Sequence, residues 1–284
     1  SNKKKEASQM KAFANIKSRY AEYKALDSAD KVKAWKEGLI NNAIYLLIII
    51  AVIYTYTQNS RFLSVASIVN IISLSAANIP IACGIAGTIV LTGTDLSAGR
   101  VVGLTACISA SLLQSVTYAT KIFPDLPVLP IPLVILIVIV VGGIVGWVNG
   151  FFVAKFHLHP FIVTLAGMFF GRGMTSIIST DMISIKNKTF LAWANYKIYL
   201  PIGSYSRRGK FIPAYIYPTV IIAILIFIVI AIIMKYTKFG REVYAIGGNA
   251  QSAMMMGLNV KKTKFKAYVL DGLLAGCGGF LFCL

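Results

Sequence analysis

The chain has 284 residues, of which 57% are hydrophobic and only 13% are charged, and its mean hydropathy is +0.74. These values exclude an ordinary soluble domain and indicate a protein that crosses a membrane several times. The formal net charge of +18 could suggest a nucleic-acid partner, but the basic residues cluster in separate loops between apolar runs, so we expect none.

Residues 1–40 form a basic arm ahead of the first apolar run. The first 37 residues hold ten Lys or Arg and five acids, and an excess of basic residues beside a span is typical of the cytoplasmic side. We therefore expect a cytoplasmic amino terminus with amphipathic helices that lie on anionic lipid. A solvated charged tail is the alternative for residues 1–25.

The apolar runs predict an all-α bundle of transmembrane helices within residues 41–284. A full span needs ~20 apolar residues, and shorter runs can be half-crossings or tilted pieces. In chain order the runs cover residues 42–57, 64–78, 79–91, 96–116, 131–154, 161–179, 215–234 and 268–284. The sides of the membrane alternate consistently only if runs 79–91 and 96–116 together make one crossing. We therefore predict a discontinuous helix that breaks near residues 93–96.

The segment TGTDLSAGR, residues 92–100, lies at this predicted break. Gly93 should interrupt the first half-helix, and Thr94 or Asp95 can cap the second. Because half-helix ends inside a membrane commonly contact polar substrate groups, the segment is a candidate gate or lining of a translocation pathway. The candidate residues are Thr94, Asp95, Ser97, Gly99 and Arg100. In the alternative, Asp95 is a cap paired with Arg100 and touches no substrate.

Three other patterns fall short of a catalytic or metal site. GSYSRRGK, residues 203–210, has five residues between its glycines and no Ser or Thr after the Lys, so it is not a nucleotide-binding P-loop. His157 and His159 lack an acidic or cysteine partner nearby, and the four cysteines show no metal-ligand spacing. We therefore expect no enzyme activity, no metal and no bound cofactor.

Glycines recur every four residues in several apolar runs. The positions are Gly142, Gly146, Gly150, Gly167 and Gly171, together with Gly272 and Gly276. A face of small residues lets two helix backbones approach closely inside a membrane bundle. These glycines are therefore predicted to position helices, and they need not touch a substrate.

The loop at residues 235–266 is predicted to dock a partner on the cytoplasmic side. It holds seven basic residues and one acid, Glu242. Asn249 is a good N-cap and Gly257 is a good residue after a helix end, so two helical turns are expected between them. The three methionines at residues 254–256 offer adaptable apolar contact to a partner. The alternative is a helix that lies on lipid.

Three segments together resemble the permease subunit of bacterial ABC importers for simple sugars. They are TGTDLSAGR with VGL after it, GWVNGFFVAKF followed by HPFIVTLAGM, and KFGREVYAIGGNAQSAMMMGLNV. Within that family GTDLSAGR is most similar to the galactose/methyl-galactoside branch, whereas ribose-type permeases tend to read GIDLS with Ser in place of Arg100. The resemblance runs in order from about residue 40 to residue 284.

The resemblance implies a permease that pairs with a second copy in the bacterial cytoplasmic (inner) membrane. It also implies a cytoplasmic subunit with two fused ATPase cassettes, which binds ATP and magnesium, and an extracytoplasmic sugar-binding protein. Members of the family carry a coupling loop with an acid, two alanines, three variable residues and a glycine, and here Gln251 replaces the acid. The coupling residues implied are Asn249, Gln251, Ser252, Ala253, Met255 and Gly257.

Two other functions stay open at this point. A proton-coupled secondary transporter could use Asp95, although we expect no other acid inside the spans. A related ABC permease could carry a nucleoside or another monosaccharide in place of galactose. Family members also continue beyond the segment GCGGFLFCL, so we expect the chain to be cut short at its carboxyl end.

Overall fold

The computed structural model describes residues 28–59, 62–115, 121–205 and 211–284. The predicted interfacial helices in residues 1–27, and part of the GSYSRRGK segment, lie outside the described residues. The helices are α1 (Ser28–Asn41), α2 (Ala43–Gln58), α3 (Val65–Ser75), α4 (Asn78–Val90), α5 (Ala98–Leu112), α6 (Ile131–Lys155), α7 (Pro160–Ile178), α8 (Lys188–Ala194), α9 (Pro218–Tyr236), α10 (Lys238–Gly248), α11 (Ala250–Met255) and α12 (Val260–Phe282). Strands β1 (Ile198–Tyr205) and β2 (Phe211–Ile216) lie between α8 and α9. The predicted all-α fold class is confirmed, apart from this hairpin.

The chain divides into two compact units, with the boundary between Ser64 and Val65. In the first unit, α1 is largely polar and α2 is apolar along its whole length. No residue of α2 is buried within the chain. The apolar side chains of α2 are therefore available to lipid, as expected of a membrane helix.

Among the described residues of the second unit, four helices are long and apolar enough to cross a membrane. They are α6, α7, α9 and α12. A fifth candidate span is the pair α3 and α4, which meets the same test together but bends by 53° between its two halves. The protein is therefore a multi-pass membrane protein.

Two interruptions separate the helices α3, α4 and α5. One interruption, between Val90 and Ala98, lies at the predicted discontinuity. The other separates α3 from α4. The apolar runs predict one crossing at residues 64–78 and half of the next crossing at residues 79–91, whereas α3 and α4 together meet the test for one bent span. Pro80, in the first turn of α4, has no N–H to donate to the Ala76 carbonyl, so a straight helix cannot continue through this point. Its place in the first turn lets α4 start without that bond.

The central helix of the second unit is α12, which packs against α4, α5 and α6. Its contact with α6 follows a shared face of glycines. A Cβ atom on Gly142 would overlap the Gly272 carbonyl oxygen, and one on Gly146 would overlap the Tyr268 carbonyl oxygen. The two backbones therefore touch, so α6 and α12 form a closely packed pair. The helices that flank the TGTDLSAGR segment, α4 and α5, also pack against α12.

The two strands form an antiparallel hairpin in which Tyr199 pairs with Tyr215. The apolar runs predict an all-α bundle, so the hairpin is a difference from the prediction. Aromatic and β-branched residues on both strands favour extended pairing. Pro201 and Pro213 interrupt the two runs, however, and a proline inside a run weakens the pattern by which strands are predicted.

Candidate functional site

The chain leaves α4 through a tight turn at Thr92. Thr92 has a φ of 57°, a left-handed conformation that is uncommon for any residue except glycine. Its N–H donates to the Ile89 carbonyl at 2.9 Å, and the Gly93 N–H donates to the Thr88 carbonyl at 3.0 Å. The backbone conformation that ends the helix therefore belongs to Thr92, and not to Gly93 as predicted.

Gly93 instead makes room for Tyr268 of α12. A Cβ atom on Gly93 would lie 2.6 Å from the Tyr268 hydroxyl oxygen. Tyr268 is buried, and its hydroxyl has no hydrogen-bond partner among the residues that the structure describes. The chain between α4 and α5, which we call the interrupted segment, is therefore in direct contact with α12 at this point.

Hydrogen bonds join Asp95, Ser97 and Asn149 into one chain. The Ser97 backbone N–H and hydroxyl donate to Asp95 Oδ1 at 2.7 and 2.6 Å. Asn149 of α6 donates from Nδ2 to Ser97 Oγ at 2.9 Å. Ser97 and Asn149 are both buried, so these bonds are shielded from competing water. They fix the start of α5 against the carboxyl-terminal third of α6.

Ser97 directly precedes the first helical residue of α5, but its own side chain caps no backbone N–H. Of the two predicted caps, Asp95 supplies the side-chain acceptor at this end, because its Oδ1 accepts from the Ser97 N–H at 2.7 Å. The Ser97 carbonyl accepts the first helical hydrogen bond, from the Val101 N–H at 2.9 Å. Asp95 acts two residues earlier, where its side chain stabilises the turn that leads into Ser97. The Thr94 carbonyl accepts a longer bond, 3.3 Å, from Thr164 Oγ1 of α7. Asp95 therefore contributes its side chain to the start of α5, and Thr94 contributes its carbonyl group to the contact with α7.

A second acid, Asp271 of α12, lies at the same place. It is fully buried, and neither of its carboxyl oxygens has a hydrogen-bond partner within the described part of the chain. Asp95, Ser97, Asn149 and Asp271 line one small cavity that leaves no room for a water-sized sphere. The expectation that the spans hold no acid besides Asp95 was therefore wrong. The signal is present in the sequence, because Asp271 is a single acid in an otherwise apolar run.

Two carboxyl groups thus lie at one contact. Asp95 and Asp271 line the same cavity, and two ionised carboxylates in a site without water would repel each other strongly. Intramembrane acids are costly and usually mark a functional site. The cavity is also far too small for a hexose. The arrangement therefore fits a closed contact between two moving parts better than a sugar-binding site.

Arg100 does not neutralise this pair. Although the structure describes both residues, it shows no ion pair between Asp95 and Arg100, and Arg100 is exposed. Its Cβ lies 3.3 Å from the position of the Cβ that Gly171 of α7 lacks. Gly99 is exposed as well and has no atom near its own missing Cβ. The alternative in which Arg100 pairs with Asp95 is therefore wrong.

Two of the predicted glycines shape the site directly. A Cβ atom on Gly167 of α7 would lie 2.9 Å from Asn149 Oδ1, and one on Gly150 of α6 would lie 3.0 Å from the Phe265 carbonyl oxygen of α12. Any side chain at Gly167 would press on the asparagine that holds Ser97. Because Gly167 has no side chain, α7 can pack directly against Asn149.

The segment after α9 contains the short capped helix that the sequence predicts. Asn249 caps α11, and its Oδ1 accepts from the Ser252 N–H at 2.9 Å. Gly257 has a φ of 83°, which glycine adopts without strain. Ser252 and the methionines at residues 254–256 are exposed, while Ala253 is fully buried. The helix thus has one face against the protein and one face free.

The buried face of α11 reaches the interrupted segment. Ala253 belongs to the same cluster of buried apolar residues as Leu91, which directly precedes Thr92. In addition, a Cβ atom on Gly247 of α10 would overlap the Val90 carbonyl oxygen at the end of α4. Because packed interiors transmit small displacements, a shift of α10 or α11 must move the start of the segment.

Known permeases match this chain over most of its length. A family model described as "Branched-chain amino acid transport system / permease component" matches residues 60–284. The galactose/methyl galactoside import permease protein MglC of Salmonella typhimurium is 36% identical over 258 residues, which cover 89% of this chain and 74% of that protein.

Two further relatives agree. The ribose import permease protein RbsC of Haemophilus influenzae is 32% identical over 243 residues, covering 86% of this chain and 68% of that protein. The inner membrane ABC transporter permease protein YjfF of Escherichia coli is 32% identical over 238 residues, covering 83% of this chain and 65% of that protein. No solved structure matches the chain significantly. The chain therefore belongs to this family of transport-system permease components, as its sequence motifs predict.

Proposed function

We propose that the chain is the membrane-spanning permease subunit of an ATP-driven importer, which carries a simple sugar of the galactose/methyl-galactoside type into the cytoplasm. Similarity to sugar import permeases over most of the chain supports the proposal. The observation that carries it is the buried cluster shared by Ala253 and Leu91. That cluster connects an exposed docking helix to the candidate gate.

The exposed face of α11 is the proposed docking surface for a cytoplasmic ATP-binding subunit, which would hold ATP and magnesium. The methionines at residues 254–256 are 62%, 76% and 70% exposed, and flexible apolar side chains of this kind suit a protein partner. Gln251 is also exposed on this helix. Because Asn249 and Gly257 fix the two ends of α11, the helix can move as one rigid piece.

The gating step begins with a displacement of α10 and α11 when the ATPase cassettes close. Gly247 lies against the Val90 carbonyl, so the displacement would reach the segment that starts at Thr92. That segment carries Asp95, which faces Asp271 across the small cavity. We place the opening for sugar where the segment separates from α12. Two packed arrangements of these elements would give outward and inward access.

The complete importer would contain two copies of this permease and an extracytoplasmic sugar-binding protein, in which most of the specificity would reside. We place the chain in the inner membrane of a bacterium, with the amino terminus and residues 235–266 in the cytoplasm. The excess of basic residues in both regions supports this orientation.

One observation favours a second candidate, a proton-coupled secondary transporter. Asp95 and Asp271 face the same cavity, and intramembrane acids relay protons in such transporters. A secondary transporter has no use for a docking helix, however, and the similarity to a named ABC transporter permease also speaks for the importer. The ATP-driven importer therefore explains more of this chain.

Uptake of radiolabelled galactose separates these candidates, in cells that carry the full-length gene with its neighbouring transporter genes. A protonophore is added while ATP is maintained by glycolysis. We expect uptake to persist with the protonophore and to disappear when the P-loop lysine of the partner ATPase is replaced by alanine. Uptake that collapses with the protonophore and survives loss of the ATPase would establish the proton-coupled transporter.

Competition with unlabelled compounds tests the cargo in the same cells. We expect excess methyl galactoside to reduce labelled galactose uptake, and excess nucleoside to leave it unchanged. If galactose does not enter but a labelled nucleoside does, the sugar assignment is wrong and the ATP-driven permease is retained.

A further inference from the structure

A polar pocket of about 320 Å³ lies between α10, which directly follows the candidate span α9, and the amino end of the candidate span α12. Three of its nine lining residues are lysines, and we call it the basic pocket. Its charged residues are Lys238, Glu242, Lys262 and Lys266. Because both spans leave the apolar part of the membrane here, the basic pocket lies at the level of the lipid headgroups.

The basic pocket holds more positive charge than the chain neutralises. Both oxygens of Glu242 are engaged, since Oε1 lies 3.9 Å from Lys238 Nζ and Oε2 accepts from Thr263 Oγ1 at 2.9 Å. Lys262 and Lys266 have no ion-pair partner in the described part of the chain. They are four residues apart on one face of α12, where like charges repel. An anion bound between them would relieve that repulsion.

An apolar groove of about 340 Å³ begins at the rim of the basic pocket and follows the spans into the membrane. Side chains of α9 and α12 line it, namely Ile233, Val269, Leu270 and Leu273. Phe239 and Lys266 line both the basic pocket and the apolar groove. The two cavities are therefore adjacent at Phe239 and Lys266, and together they offer a cationic end at the membrane surface and an apolar end within the bilayer.

We propose that this joined site binds an anionic phospholipid, with its phosphate between Lys262 and Lys266 and one acyl chain in the apolar groove. Basic pockets at helix ends attract anionic headgroups, and each lysine near the surface contributes about 1 kcal/mol. An inorganic phosphate or an acidic peptide would satisfy the lysines but would leave the groove uncovered. A phospholipid matches both ends.

The site adjoins the carboxyl end of α11, because Gly257 and Leu258 also line the basic pocket. A lipid held there would restrict the movement of the chain between α11 and α12. Anionic lipid would then affect the rigidity of the proposed docking helix. Binding of the lipid itself does not depend on the cargo or on the energy source of the transporter.

Lipid retention by the purified protein tests the proposal, measured by native mass spectrometry after exchange into phosphatidylglycerol or phosphatidylcholine with the same acyl chains. We expect phosphatidylglycerol to be retained preferentially. The double variant K262Q/K266Q should bind it roughly 30-fold more weakly, which is about 5-fold per lysine. The matched control K261Q/K264Q removes the same charge from the same end of α12, but neither residue lines the basic pocket or the groove. It should change binding by less than about 3-fold.

A second pair of measurements tests the apolar end. Leu270→Trp fills the groove and should weaken phosphatidylglycerol retention while leaving binding of soluble glycerol phosphate unchanged. Thermal unfolding of each variant shows whether it is folded. Equal losses in the two lysine variants would overturn the proposal in favour of unspecific surface charge. Equal retention of both lipids would also overturn it, because the headgroup charge would then not be recognised. Displacement of lipid by glycerol phosphate at equal concentration would show a free-anion site in its place.

Discussion

The Asn149 side chain donates a hydrogen bond of 2.9 Å to Ser97 Oγ and so ties the carboxyl-terminal third of α6 to the residue that directly precedes α5. Ser97 in turn donates to Asp95 Oδ1 at 2.6 Å. The orientation of the acid in the interrupted segment therefore depends on an amide carried by another helix. Because these groups are buried or half-buried, the chain of bonds is a fixed element of the candidate gate.

Replacing Asp95 tests this chain of bonds. Asp95→Ala leaves two Ser97 donors without their acceptor and should lower the free energy of unfolding by about 1–2 kcal/mol. Asp95→Asn keeps an oxygen at the same position and should cost less than about half as much. Chemical unfolding of the purified protein in one detergent measures both. Equal losses would show that the charge of Asp95, and not its hydrogen bonds, stabilises the turn.

The local part of this site could be predicted from the sequence, and the tertiary part could not. Asp95 and Ser97 are two residues apart, so a turn that joins them follows from residue type alone. Asn149 is 52 positions from Ser97, and nothing in its own apolar run indicates which helix it faces. The four-residue spacing of Gly142 and Gly146 similarly predicts a close helix contact without naming α12 as the partner.

Asp271 also shows that a tertiary contact cannot be predicted from the sequence alone. Its position in an apolar run is visible in the sequence, but its distance of 176 positions from Asp95 gives no sign that the two acids share a cavity. The bend between α3 and α4 was missed because Pro80 is compatible with the first turn of a new helix as well as with a kink. Local chemistry thus predicts where a helix starts or stops, whereas packing decides what it meets.

Replacing Asp271 should reveal the strain at this contact. Asp271→Asn removes a buried carboxyl group that has no donor and supplies an amide that can donate to Asp95, so we expect the free energy of unfolding to rise by about 1 kcal/mol. Asp271→Glu adds a methylene where no space is left and should lower it by about 1–3 kcal/mol. Thermal and chemical unfolding measure both variants.

The stability of Asp271→Asn decides how its transport activity is interpreted. If Asp271→Asn destabilised the protein by more than about 1 kcal/mol, the carboxyl group would have to make an interaction that an amide cannot replace. Galactose uptake by the stable variant then reports on gating, since an amide that donates to Asp95 should hold the contact closed for longer. We expect slower uptake with normal amounts of the protein in the membrane.

Two adjacent glycines test the connection between the docking helix and the gate. Gly247→Ala must push α10 away from the Val90 carbonyl oxygen, whereas Gly248→Ala meets no atom within 4 Å. We expect Gly247→Ala to reduce galactose uptake at least about tenfold per molecule of ATP hydrolysed, because the displaced helix no longer presses on α4. Gly248→Ala should behave like the unaltered protein.

The ratio of transport to hydrolysis is measured in proteoliposomes that contain the complete importer. A fall in this ratio for Gly247→Ala alone supports transmission through Val90. A parallel fall for both variants would point to loss of helix flexibility in general and would count against the specific contact.

The contact between Gly93 and Tyr268 can be isolated with a double-mutant cycle. Gly93→Ala places a methyl group 2.6 Å from the Tyr268 hydroxyl oxygen, and overpacking of this kind should lower the free energy of unfolding by about 1–3 kcal/mol. Tyr268→Phe removes that oxygen. Since the hydroxyl has no hydrogen-bond partner among the described residues, the single variant should change stability by less than about 0.5 kcal/mol.

In the double variant the phenylalanine leaves space for the added methyl group, so Tyr268→Phe should recover at least about 1 kcal/mol of the loss caused by Gly93→Ala. Chemical unfolding of the four proteins in one detergent gives this coupling energy. Additive losses would mean that the interrupted segment lies away from α12 in solution. A positive coupling energy would establish that the two close on each other, which the proposed gate requires, because a gate must have a closed state in which its moving parts touch.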